Sequence, residues 1–153
     1  MHLYLVRHGE AKSEKEDPAR PLSDHGREEV TRVARHVGAM GLQIAEIRHS
    51  GKLRARQTAE ILAEHLSPTR GLYEVEGLSP MDDPSKAQSE IETSRQPIMF
   101  VGHLPHLSLL ASALLRGDPE SEIVQFKAGT IACLAWVDGG FRLEWVLTPD
   151  LAM

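Results

Sequence analysis

Leu3-Tyr4-Leu5-Val6-Arg7-His8-Gly9-Glu10 carries four apolar residues that give way, without transition, to a cation, an imidazole, a glycine and an acid. A short unbroken apolar run reads as a strand buried on both faces, and the abrupt change puts its C-terminal end where chemistry can occur. A strand-end turn in which Gly9 supplies a positive φ is the plain alternative. A second run of the same kind, Pro97-Ile98-Met99-Phe100-Val101, breaks at Gly102-His103 as the first breaks at Arg7-His8. Two buried strands that each release a histidine require a fold that brings their ends together.

The intervening segments supply one. Ala11 to Ala19 is charged and aperiodic, which predicts a loop, and Ser23 then caps a helix with Asp24 in its first turn. Val30, Val33, Val37 and Met40 recur at helical spacing, with Gly38 and Gly41 at the end. Ile44 to His49 reads as a second strand, Leu53 to Leu66 as a helix stopped by Ser67-Pro68, and Leu72 to Val75 as a weak third strand. A loop over Glu76 to Pro84 precedes a modest helix over Ser85 to Thr93. After the second apolar run, Leu107, Leu110, Ala111 and Leu114 share a helix face that stops at Gly117. Ile131 to Val137 and Phe141 to Leu147 flank Asp138-Gly139-Gly140, a tight hairpin, with Trp136 and Trp145 as core or edge packing.

Strands alternating with helices predict an α/β fold, a three-layer α/β/α sandwich whose mostly parallel sheet ends in an antiparallel hairpin. Right-handed crossovers gather the C-terminal ends of the parallel strands on one edge. Arg7-His8-Gly9, Ser50, the Glu76 to Asp83 loop and Gly102-His103 all fall there.

Composition sets the bounds. A chain of 153 residues, 41% hydrophobic, fits one domain over 1–153. A net charge of −5 argues against nucleic-acid and anionic-membrane partners, so an anionic ligand must be captured by a local cluster. Cys133 is the only cysteine, so neither an internal disulfide nor a thiolate metal site is expected. Without a leader-like N-terminus or a long apolar span, a cytoplasmic location is expected. Among eight histidines, His103 and His106 are spaced for zinc, but Pro105 and the lack of nearby carboxylates argue against it. His2, His25, His36, His49 and His65 read as surface or turn residues.

Two histidines after buried strands, with arginines nearby, suit a phosphoryl group. Arg7 and Arg54 offer guanidinium forks that match phosphate oxygens and stay charged. Their field disfavours protonation of His8, leaving a neutral nitrogen able to attack phosphorus and form a phosphohistidine. His103 can donate to the equatorial oxygens as charge reorganises. Helical phase selects Arg54, which shares a face with Gln57, Thr58 and Ile61; Arg56 lies on the other side with Glu60.

These residues resemble the histidine phosphatase superfamily, whose Arg-His-Gly signature is matched by Arg7-His8-Gly9. Leu53-Arg54-Ala55-Arg56-Gln57-Thr58-Ala59 is similar to its Leu-Arg-Ala-x-Gln-Thr segment, and Gly102-His103 to its second histidine after a strand. Small size, Arg20-Pro21-Leu22-Ser23 and Gly102-His103-Leu104-Pro105 resemble the SixA-type bacterial phosphohistidine phosphatases. The resemblance implies a phosphoglycerate mutase-like fold and a metal-independent, cofactor-free phosphatase. It makes His8 the nucleophile, Arg7 and Arg54 phosphate ligands, His103 an aid to the transferring group, and Gly9 and Arg20 part of the substrate pocket. The implied partner is a phosphohistidine-containing phosphorelay or carrier protein, or a small phosphorylated substrate.

Two features depart from the pattern. Ser50 is followed by Gly51 where proline is usual, which is expected to loosen that turn. The general acid of larger members has only Glu76, Asp82 and Asp83 as candidates here, all in a turn-rich loop. Weak acid assistance favours phosphohistidine over sugar phosphates, because imidazole leaves more easily than an alkoxide. A broad small-molecule phosphomonoesterase is the alternative within the enzymes, and a phosphate-binding module without turnover the alternative outside them.

Overall fold

The apolar runs form the centre of one sheet. In the computed structural model, which describes residues 1–152, strand β1 (His2–Arg7) is the hub. The other strands are β2 (Glu46–His49), β3 (Leu72–Glu74), β4 (Ile98–Gly102), β5 (Ile131–Val137) and β6 (Gly140–Leu147). Their order is β3-β2-β4-β1-β5-β6. The first four neighbours run parallel, while β5 is antiparallel to β1 and forms the hairpin with β6.

Helices cover both faces. Tyr4 and Val6 of β1 point to one side, where they meet Val30, Val33 and Val37 of α1 (Asp24–Ala39) and Ala59 and Leu62 of α2 (Leu53–Leu66). Leu3 and Leu5 point to the other, against Ile91 of α3 (Pro84–Thr93) and Leu107 and Leu110 of α4 (His106–Arg116). A strand dry on both sides needs an apolar residue at every position, which is why its sequence shows no alternation. Among the described residues no helix is long and apolar enough to cross a membrane.

The local signals act largely as their chemistry dictates. Ser23 Oγ accepts from Gly26 N at 3.0 Å and caps α1. Gly41, at φ 70°, ends that helix, whereas Gly38 lies inside it. A side chain at Gly38 would stand 3.0 Å from the His65 carbonyl, so this glycine lets α1 and α2 approach.

The chain order fixes where a ligand can bind. The helix following β1 lies on one face and the helix following β4 on the other, although β1 and β4 are neighbours. The two connections therefore diverge and leave a crevice at the C-terminal ends of this strand pair. The register sets Arg7 opposite Gly102, so His8 and His103 leave the sheet side by side.

Candidate active site

The rings of His8 and His103 stand 4.9 Å apart, centre to centre, in that crevice. His8 is 8% exposed, and its backbone N–H donates to the Gly102 carbonyl at 3.1 Å. Its Nδ1 lies 2.7 Å from the Gly9 carbonyl oxygen. A carbonyl only accepts, so Nδ1 carries the proton and Nε2 keeps its lone pair. Burial pushes the His8 pKa down to about 4, against the opposing effect of the Gly9 bond, with Arg54, Arg7 and Arg20 adding to the depression. The arginine field anticipated from the sequence is present, and burial outweighs it.

The plain alternative of a positive-φ turn at Gly9 does not hold, since Gly9 is not among the residues in the left-handed region. A Cβ there would meet Val30 Cγ2 at 2.5 Å and the Gly26 carbonyl at 3.2 Å. Gly9 is small because α1 packs directly on the backbone behind His8.

Helix α2 supplies the arginine that its phase predicts. Arg54 is half-buried with its Nε lacking any protein partner. On the same face, Gly9 N donates to Thr58 Oγ1 at 3.0 Å and Thr58 Oγ1 donates to the Arg54 carbonyl at 2.8 Å. Gln57 Oε1 accepts from Leu22 N at 2.8 Å and thereby pins the loop that carries Arg20. Arg56 points away and pairs with Glu60 at 3.9 Å on the exposed side.

Arg7 donates from one terminal nitrogen to the Phe126 carbonyl at 2.8 Å, while its Nε is buried without a partner. Arg20 sits at φ 49° and donates from Nε to the Lys12 carbonyl at 3.1 Å. Burial lowers the pKa of Arg7, and burial followed by the charge of Arg20 lowers that of Arg54, with Glu14 opposing. Guanidinium groups remain cationic through such shifts. The crevice thus holds converging positive charge and two buried N–H donors without acceptors, a demand that an anion satisfies.

His103 is 1% exposed, and its Nε2 lies 2.6 Å from Ser50 Oγ. Its Nδ1 has no protein partner. Burial, His8 and Arg54, in that order, bring its pKa down to about 3. Ser50 follows β2, the strand beside β4, and its hydroxyl also accepts from Lys52 N at 3.3 Å. Gly51 adopts φ 91°, which proline cannot reach, and its N–H donates to His49 Nδ1 at 3.0 Å. The turn is therefore a differently built one, rather than a loosened version of a proline turn.

The loop carboxylates are engaged elsewhere. Glu76 is 93% exposed and lies 3.4 Å from Lys86. Asp82 accepts from Ser79 N at 2.9 Å, and Asp83 accepts from Ser85 N at 2.9 Å as the cap of α3. The loop does share a pocket wall with Ser50, so it borders the site without placing a carboxylate on either histidine.

Sequence reasoning missed several contacts. His49 is buried rather than at the surface, and His106, to which the sequence assigned no place, is buried as well. Gly129 N donates to the Arg7 and His8 carbonyls, both at 3.1 Å, and the Thr130 carbonyl accepts from Arg7 N at 3.0 Å. The turn before the hairpin therefore clamps the strand end. The sequence admits Gly129-Thr130 as a segment that helps close the pocket but favours a plain turn there.

A buried imidazole with a free Nε2 beside arginines at a sheet switch point is an arrangement that can hold a tetrahedral anion next to an unprotonated nitrogen. The model of the histidine phosphatase superfamily (branch 1) matches residues 3–82, and the chain belongs to that family. An uncharacterized protein from Picosynechococcus sp. is 34% identical over 139 residues, covering 86% of this chain and 83% of its own. The phosphohistidine phosphatase SixA of Escherichia coli is 23% identical over 155 residues, covering 97% and 94%. A structure of the protein histidine phosphatase SixA complexed with tungstate superposes with a TM-score of 0.86 at 24% identity over 98% of both chains. A phosphoserine phosphatase mutant from Entamoeba histolytica, in complex with phosphoserine, gives 0.74 at 15% identity over 99% of both.

Proposed function

We propose that the chain is a phosphohistidine phosphatase, acting on phosphohistidine in a phosphorelay or carrier protein through a covalent phospho-His8 intermediate. The observation that carries this reading is the Nδ1–H bond from His8 to Gly9, which leaves Nε2 unprotonated inside a cationic crevice. Arg7, Arg20 and Arg54 hold the phosphoryl oxygens, and His103 donates to them as charge builds. Nε2 of His8 attacks phosphorus in line, the P–N bond to the substrate imidazole breaks with its electron pair going to that ring, and the ring takes up a proton from solvent. Water then attacks phosphorus, the bond to Nε2 breaks with its electron pair returning to the ring, and inorganic phosphate leaves. No step calls for a metal ion or a cofactor.

The substrate follows from the acids. Glu76, Asp82 and Asp83 are spent on an ion pair, a turn and a helix cap, which leaves little acid assistance for an alkoxide. A phosphoramidate asks for less, because imidazole is a better leaving group. Similarity to SixA over nearly the whole chain supports the same choice, and tungstate in the SixA structure is a tetrahedral oxyanion, like phosphate. The fold shared with a phosphoserine phosphatase favours a second reading, a broad phosphomonoesterase.

Turnover of a phosphohistidine peptide, p-nitrophenyl phosphate and a sugar phosphate, compared in EDTA, tests the proposal. Preference for the phosphohistidine peptide, unchanged by chelator, is expected. Equal or faster turnover of sugar phosphates supports the phosphomonoesterase. Loss of activity in EDTA contradicts the mechanism, and saturable binding without phosphate release indicates a binding module.

A further inference from the structure

Far from the crevice, the sheet gathers three side chains that the phosphatase chemistry does not use. Tyr4 faces the α1 and α2 side of the sheet, and so does Cys133, its partner across the β1–β5 ladder. His2, two residues before Tyr4, lies on the same face. In a regular ladder Glu144 would point the opposite way, because its neighbour Trp145 pairs with Cys133. The register slips here: Cys133 pairs with Trp145 but Leu134 pairs with Leu143, leaving Glu144 as the extra residue of a β-bulge. The bulge turns the carboxylate onto the cysteine side. Glu144 Oε2 lies 4.0 Å from Cys133 Sγ and 3.0 Å from His2 Nε2, and all three donor atoms fall within 4.8 Å of one another. Cys133 is 1% exposed and forms the floor, while His2 and Glu144, with side chains 45% and 44% exposed, form a rim open to solvent.

We propose that His2, Cys133 and Glu144 bind one zinc ion. One thiolate, one imidazole and one carboxylate are a donor set that zinc accepts, and bond lengths of about 2.0–2.3 Å place tetrahedral donors about 3–4 Å apart. The separations of Glu144 from its two partners already match. The open rim leaves a fourth position for water. Binding replaces the Cys133 S–H bond with an S–Zn bond and releases one proton. The ion ties β1, β5 and β6 together at about 13–20 Å from His8, because Cys133 lies opposite Tyr4, four residues before it, and His2 lies six before it, at about 3.3 Å each; it lies outside the crevice. A single cysteine thus suffices for a mixed thiolate site, contrary to the sequence-based expectation.

The test uses the full untagged chain, stripped with chelator and titrated with Co²⁺ and then Zn²⁺. Binding of one equivalent of Co²⁺ with release of one proton per ion, a thiolate-to-cobalt charge-transfer band and a rise in Tm, followed by loss of the band as Zn²⁺ displaces Co²⁺ without further proton release, is expected. Cys133→Ser should abolish the band. Glu144→Gln, a change on the exposed rim that leaves the core intact, should weaken binding by about 10-fold or more. Both variants should turn over p-nitrophenyl phosphate as the parent does. Absence of the band, its persistence in Cys133→Ser, or undiminished affinity in Glu144→Gln overturns the proposal. So does loss of binding in His8→Ala, which would place the metal at the crevice.

Discussion

Two regions on the same sheet edge both carry ionisable groups, and they treat them in opposite ways. At the ends of β1 and β4 the groups are held by backbone and left with unspent capacity: His8 keeps a free Nε2, and Arg7 and Arg54 keep unpartnered Nε donors. In the Glu76 to Asp83 loop the carboxylates are already used, by Lys86, Ser79 N and Ser85 N. Capacity to act on a ligand therefore depends on what a group still lacks, more than on its position near a pocket.

That contrast predicts graded effects. His8→Ala should lower phosphohistidine turnover by at least about 10³-fold, since it removes the nitrogen that attacks. Arg54→Ala, measured by kcat/KM, should cost about 10²–10³-fold, whereas Arg56→Ala should fall within about twofold of the parent. If the two arginines behave alike, the helical phase has been misread.

Titration offers a third comparison. Below the usual histidine value of 6.5 an ordinary imidazole gains a proton, but the His8 pKa lies at about 4, so its ring should stay neutral until the pH falls that far. NMR of the His8 ring C–H resonances reads this directly, and a midpoint near 6.5 would contradict it. Because the folded pKa is depressed, His8 favours the folded state above pH 6.5, and that contribution is lost as the pH falls from 6.5 towards 4.

Gly9→Ala should lower stability by about 1–3 kcal/mol in chemical denaturation, because the added methyl meets Val30 and the α1 backbone. Glu76→Gln and Asp82→Asn should sit at the bottom of the scale, within about twofold of parent turnover. A 10² or greater loss in either would move the acid back into the mechanism and erase the contrast between the two regions.

What could be read from the sequence was whatever depends on near neighbours. Runs such as Leu3 to Val6 and Ile98 to Val101 declare buried strands, and the phase of Leu53 to Leu66 separates Arg54 from Arg56. That His8 and His103 leave the same sheet edge also followed from parallel topology, whereas their standing side by side depends on the adjacency of β4 and β1. Contacts fixed by distant packing did not. The Phe126 carbonyl that steadies Arg7, the hold of Gly129 on the His8 backbone, and the burial of His49 and His106 all depend on segments remote in the chain. Gly9 shows the difference within one residue. The sequence offered a positive φ as one reason for a glycine there, but the cause is the approach of α1.

The covalent intermediate is the claim on which the rest depends. Rapid quenching in alkali during turnover of a ³²P-labelled phosphohistidine peptide, followed by mapping of the labelled residue, tests it directly. Acid-labile, alkali-stable phosphate on His8 at Nε2 is predicted. Full turnover with no label on the chain, or label on His103 instead, would contradict it.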